Sequence, residues 1–288
     1  MSFRRAIPLF MRLASTSKFP RTAFLATGGT TLGVSLFAKS ENTELSSRPK
    51  NYEIVVRDSD ELYDNYLIDN AYNILKRFGS GNCSELLWRL ARVLCEKAKI
   101  SKNEEEKKIL FYESFAVVKK ALEHEPKEGC FGAHKWYAII LDYIGSIEGN
   151  KSRIEKSYEV KEHLEQAIKI YESDPTTWHI LGVWHFSFAD MSYPVRLVAK
   201  TIFASPPSST YENALHYFLE AEKISPSFYS TNLFYIAEVY DRLGNKSDAI
   251  EYYKRAFKMP VITVDDADVH KKVHEKLRKY KVSDAQLL

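Results

Sequence analysis

One pattern recurs four times along this chain and limits its fold more than any other feature. A first stretch carries a large apolar residue, another three positions on, a small or apolar residue next, and a large one three further. A second stretch follows and ends in Ala, in most cases with Pro about five residues beyond. Residues three and four apart share one face of a helix, so these positions trace the seam between two paired helices. Small seam residues let the helices approach closely. The Pro, lacking an amide hydrogen, ends the second one. Pairs of this kind in series bury a continuous core by stacking.

The fullest copy is Trp178, Leu181, Gly182 and His185, then Ala214, Phe218, Ala221 and Pro226. It has the Trp-x-x-Leu-Gly opening and Ala-x-x-x-Phe-x-x-Ala close of a tetratricopeptide unit, split by the insertion MSYPVRLVAKTIFASPPSST. The last copy is Leu233, Ile236, Ala237, Tyr240, Gly244, Ala249, Tyr253, Ala256 and Pro260. An earlier copy runs Trp136, Ile139, Ile140 and Tyr143, then Val160, Leu164 and Ala167. The first runs Leu87, Leu90, Ala91 and Leu94, then Ser114, Val118, Ala121 and Pro126. The expected fold is all-α, a tetratricopeptide-like, right-handed helical-repeat solenoid over residues 58–280 with an N-terminal extension. On this reading Trp178 is a buried aromatic, and its truncation to Ala costs about 3–5 kcal/mol. One helix is expected before the array, Asp58 to Phe78, stopped by Gly79, and one after it, about Asp266 to Tyr280. The apolar insertion is expected to cover the groove of the array, plug it, or extend the core.

Composition agrees. Hydrophobic residues make up 45% and charged residues 27%, enough for a packed core. Only 11 Gly and 10 Pro are present, too few for the many tight turns of an all-β chain. Cys83, Cys95 and Cys130 are odd in number and widely spaced, which excludes a disulfide framework or a zinc finger. The net charge of +3 hides an asymmetry. Residues 1–40 hold six of the 41 basic residues and none of the 38 acidic ones, so 41–288 nets −3. No nucleic-acid partner is expected of such a body.

The acid-free start, MSFRRAIPLFMRLASTSKFPR, has the composition of a mitochondrial presequence. Residues 22–38 follow without charge. As a helix they rise about 25 Å against a hydrocarbon core of about 30 Å. They are either a single-pass membrane anchor or the back half of a removed presequence. Residues 1–40 are therefore a targeting or anchor segment, 41–57 a polar linker, 58–280 the repeat domain and 281–288 a tail.

No catalytic constellation stands out, and no enzyme activity, cofactor or metal is expected. The GGTTLG stretch lacks the Gly-Lys-Ser/Thr ending of a phosphate loop. His270 and His274 lie one helical turn apart, with no third ligand near and no His-Glu-x-x-His order. No local motif signals a Ser-His-Asp or Cys-His arrangement.

Several strings resemble one family. Glu85-Leu-Leu-Trp-Arg-Leu-Ala-Arg92, Glu104-Glu-Glu-Lys-Lys108, His134-Lys-Trp-Tyr-Ala-Ile139, Lys161-Glu-His163, Phe203-Ala-Ser-Pro-Pro-Ser-Ser-Thr-Tyr-Glu212 and Phe228-Tyr-Ser230 are similar to the regulator of microtubule dynamics family. The likeness spans about residues 58–260 and is greatest to the family's first, presequence-like member. It implies a helical-repeat protein that associates with microtubules and spindle poles, some members sitting on mitochondria through an N-terminal segment. It implies no catalytic residue. Two readings follow: a regulator that contacts microtubules or a microtubule-associated protein, and a mitochondrial adaptor holding a peptide or lipid in its concave groove.

A slightly acidic body meets acidic tubulin only through a local cationic patch. Residues 246–281 carry ten basic and six acidic residues, a net of +4. The candidate contacts are Lys254, Arg255, Lys271, Lys272, Lys276, Arg278 and Lys279. Lys272, Lys276 and Lys279 are spaced to share one helix face. The alternative is a solvated helix end whose lysines complement the dipole.

Overall fold

The structure, a computed structural model, describes residues 52–78, 81–202, 207–262 and 264–283. Among these it contains twelve α-helices and no strand, so the all-α reading holds. The targeting segment 1–40, with the candidate anchor 22–38, lies outside the described residues, as does Gly79. No helix among the described residues is long and apolar enough to cross a membrane. The chain forms two compact units, divided between Ile144 and Gly145.

The first unit holds α1 (Tyr52–Asp64), α2 (Ile68–Phe78), α3 (Ser84–Ile100), α4 (Glu104–Glu123) and most of α5 (Phe131–Glu148). The single helix expected over 58–78 is two helices, and the first begins inside the expected linker. The break is a Schellman stop. Tyr66 takes a left-handed φ of 60°. Its amide donates to the Tyr63 carbonyl at 2.9 Å, and the Leu67 amide donates to the Leu62 carbonyl at 2.8 Å. The first repeat packs as its seam requires. Leu87, Leu90, Ala91, Leu94, Val118 and Ala121 are buried. The Ser114 hydroxyl donates to the Ala91 carbonyl at 2.7 Å, which ties α4 to α3 at the small-residue position. Helix α4 starts where Asn103 accepts from the amides of Glu105 and Glu106, and the three glutamates of its first turn complement the helix dipole. In α5, Trp136, Ile139, Ile140 and Tyr143 are buried, and Tyr143 stacks on Phe111 at 4.8 Å.

The second unit holds α6 (Asn150–Ile170), α7 (Pro175–Ala189), α8 (Tyr193–Ile202), α9 (Tyr211–Ile224), α10 (Ser230–Arg242), α11 (Lys246–Phe257) and α12 (Val264–Lys279). Helix α7 pairs with α9, α10 pairs with α11, and α12 lies against both α10 and α11. Asp174 caps α7 by accepting from the Thr177 amide at 2.8 Å, and Pro175 takes the first helical position, where no amide is needed. Leu181, Ala214, Phe218, Ala221, Ala249 and Ala256 are buried as seam residues. Gly182 is required by the Phe218 ring, since a Cβ there would stand 2.6 Å from it. Gly244 ends α10 at φ +80°, where a side chain is strained. Tyr240 is half-buried against Tyr252, ring centroids 5.7 Å apart.

Trp178 differs from expectation. It is only half-buried. Its indole N–H donates to the Glu172 carbonyl at 2.7 Å, and its ring leans on His216 and Tyr217. The aromatic that fills the seam is Phe218 instead. The insertion forms α8, which buries Ala199 but leaves Tyr193 78% and Leu197 52% exposed, so it does not simply extend the core.

Candidate functional site

The cationic segment is built on α12, and the way α12 docks decides which of its lysines face outward. Its buried stripe is Val269, Val273 and Leu277, spaced one turn apart. Lys272 and Lys276 each stand one residue before a stripe residue and so lie at the edge of the docked face. Ser230 at the start of α10 donates to Asp266 at 2.7 Å and fixes the near end of α12.

At the far end, two carboxylates of α10 gather the donors of α11 and α12. Glu238 is buried and pairs with Lys276, accepts from the Tyr253 hydroxyl, and takes Nη1 of Arg242 at 3.1 Å. Asp241 takes Nζ of Lys276 at 3.2 Å and the hydroxyl of Tyr280. Burial alone would raise the Asp241 carboxyl. Hydrogen bonds from Tyr280 and Lys276, with the charges of Lys276 and Arg242, hold it below its usual value instead. The Tyr280 hydroxyl is pushed up to about 12, by burial first and then by Asp241.

The seven candidate cations therefore divide. Lys276 faces inward to Glu238 and Asp241. Arg255 pairs with Glu222 and lies over the Tyr252 ring at 4.8 Å. Lys272 is half-buried and bridges to Asp268 at 2.6 Å. Lys254 is half-buried, and Lys271, Arg278 and Lys279 are exposed. The continuous face of Lys272, Lys276 and Lys279 is thus interrupted, because Lys276 holds α12 in place. Glu238 and Asp241 were missed in the sequence. Their signal was the apolar stripe of α12, which turns its flanking lysines toward α10.

His270 and His274 pack on the Phe257 ring, at 4.1 and 5.8 Å. Among the described residues no cluster of His, Cys, Asp and Glu has the make-up of a metal site. His179 is fully buried, with Nδ1 donating to Oδ1 of Asn232 at 2.8 Å; Nδ2 of Asn232 donates to the Phe218 carbonyl. Burial lowers the His179 pKa to about 4. The unfolded chain therefore takes up this proton first as the pH falls. Stability contributed by neutral His179 is complete above about pH 6.5 and lost progressively toward pH 4, by about 3 kcal/mol in all. Denaturant midpoints measured across that window should fall more steeply for the natural chain than for His179→Gln, which keeps a donor for Asn232.

The first unit has its own ionic cluster. Asp60 of α1 accepts both Nε and Nη2 of Arg89, and Nη2 of Arg92 at 2.7 Å. Both arginines are buried and lie over aromatic rings, Arg89 over Trp88 at 4.1 Å and Arg92 over Tyr63 at 3.9 Å. The cluster holds α1 on α3, and Glu85 of α3, 2.6 Å from Nη1 of Arg89, supplies a second carboxylate to match the two arginines.

Helix pairs closed by small seam residues define a tetratricopeptide-type helical-repeat protein. A thermophilic TPR protein of Thermus thermophilus shares the fold at a TM-score of 0.52 and 14% identity, covering 78% of this chain and 98% of that one. Residues 55–281 match the family model for regulator of microtubule dynamics proteins 1–3. The chain is 38% identical to regulator of microtubule dynamics protein 1 of Mus musculus over 258 residues, 89% of this chain and 84% of that one. It is 41% identical to the Pongo abelii protein of the same name over 218 residues, 75% and 69% of the two chains. The chain belongs to the regulator of microtubule dynamics family.

Proposed function

We propose that this protein acts by binding rather than catalysis, and regulates microtubules through a contact made by the outward cations of its last helix. The match of residues 55–281 to a family whose relatives are named for microtubule dynamics carries the reading. The exposed side chains of Lys271, Arg278 and Lys279 supply the means. Tubulin's acidic surface attracts such a patch over roughly a Debye length, about 8 Å at physiological ionic strength. Lys276 and Arg255 serve this contact indirectly, by holding α12 and α11 in place.

The test is microtubule growth from purified tubulin with the full chain added. A concentration-dependent change in growth rate, or in the frequency of shrinkage, is expected at low salt and weakens as salt is added. Unchanged dynamics at saturating protein would contradict the reading.

A further inference from the structure

We propose that α8 is a contact for an anionic membrane surface, made by Tyr193, Leu197 and Lys200. These residues are spaced four and three apart, so they share one helix face. All three are exposed, Tyr193 at 78% and Leu197 at 52%, while Ala199 is buried. The helix thus turns an aromatic and an aliphatic side chain outward, the reverse of a solvated helix. The inserted segment 191–210 carries Arg196 and Lys200 and no acid, inside a body whose residues 41–288 net −3.

That chemistry selects the occupant. An aromatic and an aliphatic group beside a lysine, with no carboxylate on the segment, fit the boundary between lipid headgroups and acyl chains. The lysine stem lies along apolar surface while its ammonium reaches phosphate. The carboxylate nearest in sequence, Asp190, is already paired, since it takes Nε of Arg242 at 2.9 Å and the Tyr211 hydroxyl at 2.7 Å. The same bonds tie the start of the insertion to α9 and α10. Arg196 donates to the Phe188 carbonyl at 2.9 Å and braces α8 from its other side. The face therefore stands on a fixed support. Two apolar side chains and one lysine bind a surface weakly and reversibly, as a contact that orients a body near a membrane.

The test places a nitroxide on Leu197→Cys in the full chain. The native Cys83, Cys95 and Cys130 are buried, so the label is selective. Vesicles of phosphatidylcholine with roughly a third phosphatidylserine should carry the protein on flotation and shield the label from a water-soluble relaxation agent while leaving it open to oxygen. Pure phosphatidylcholine should not. Lys200→Glu should lower the bound fraction about fivefold or more at limiting lipid. The proposal is overturned if the chain fails to float with the anionic vesicles, or if the label is shielded equally on neutral lipid. It is also overturned if the chain floats with the label still open to water, which places the contact elsewhere. A label shielded before lipid is added would show that α8 is already covered by protein, and would overturn it as well. None of these outcomes depends on tubulin.

Discussion

Replacing Phe218 with Ala should cost about 3–5 kcal/mol, whereas Trp178→Ala should cost only about 1–2 kcal/mol. Phe218 is fully buried, stacks on Tyr235 at 5.1 Å with 14° between the rings, and fills the space left by Gly182. It also leans on His179 at 5.4 Å. Its loss opens a cavity bounded by α7, α9 and α10 that rigid helices cannot close. Trp178 rests half in water, and its removal leaves no enclosed void. Urea midpoints of the two variants settle the order. If Trp178→Ala proved the more damaging, the seam of the third repeat would be drawn one face out.

The second large effect concerns Lys276. Lys276→Glu sets a third carboxylate beside Glu238 and Asp241 and removes the cation that both share. Lys276 is 23% exposed, which moderates the effect, and about 2–4 kcal/mol is expected. The loss should be local. Amides of α12 should lose hydrogen-exchange protection while those of α3 and α4 keep theirs. Lys279→Glu, on an exposed side chain, should change neither. Equal behaviour of the two variants would mean that Lys276 is not a tie.

The seams of the first, third and fourth repeats were legible because they depend on spacing and size, properties a sequence displays directly. Leu181, Gly182, Ala214 and Ala221 stand where the pattern put them. The break between α1 and α2 was not legible. Leu62, Tyr66, Ile74 and Phe78 keep an apolar rhythm across it, and the left-handed residue is a Tyr rather than the Gly that marks such stops. Trp178 misled because a large aromatic at a seam position suggests burial, whereas its N–H finds the Glu172 carbonyl at the surface. The cationic patch was half legible. Charge counts along 246–281 located it, but which lysines face outward depends on carboxylates of α10, distant in sequence and adjacent in space.

The central claim is that the outward cations of α12, and not the inward ones, meet the microtubule. Co-sedimentation with assembled microtubules, comparing the natural chain with the triple variant Lys271→Glu, Arg278→Glu and Lys279→Glu, tests it most directly. These three side chains are exposed, so the variant should keep the natural unfolding midpoint to within about 0.5 kcal/mol of stability per site. The natural chain should pellet at low salt and be released as salt rises, and the folded triple variant should stay in the supernatant throughout. A folded triple variant that pellets like the natural chain at low salt would contradict the account.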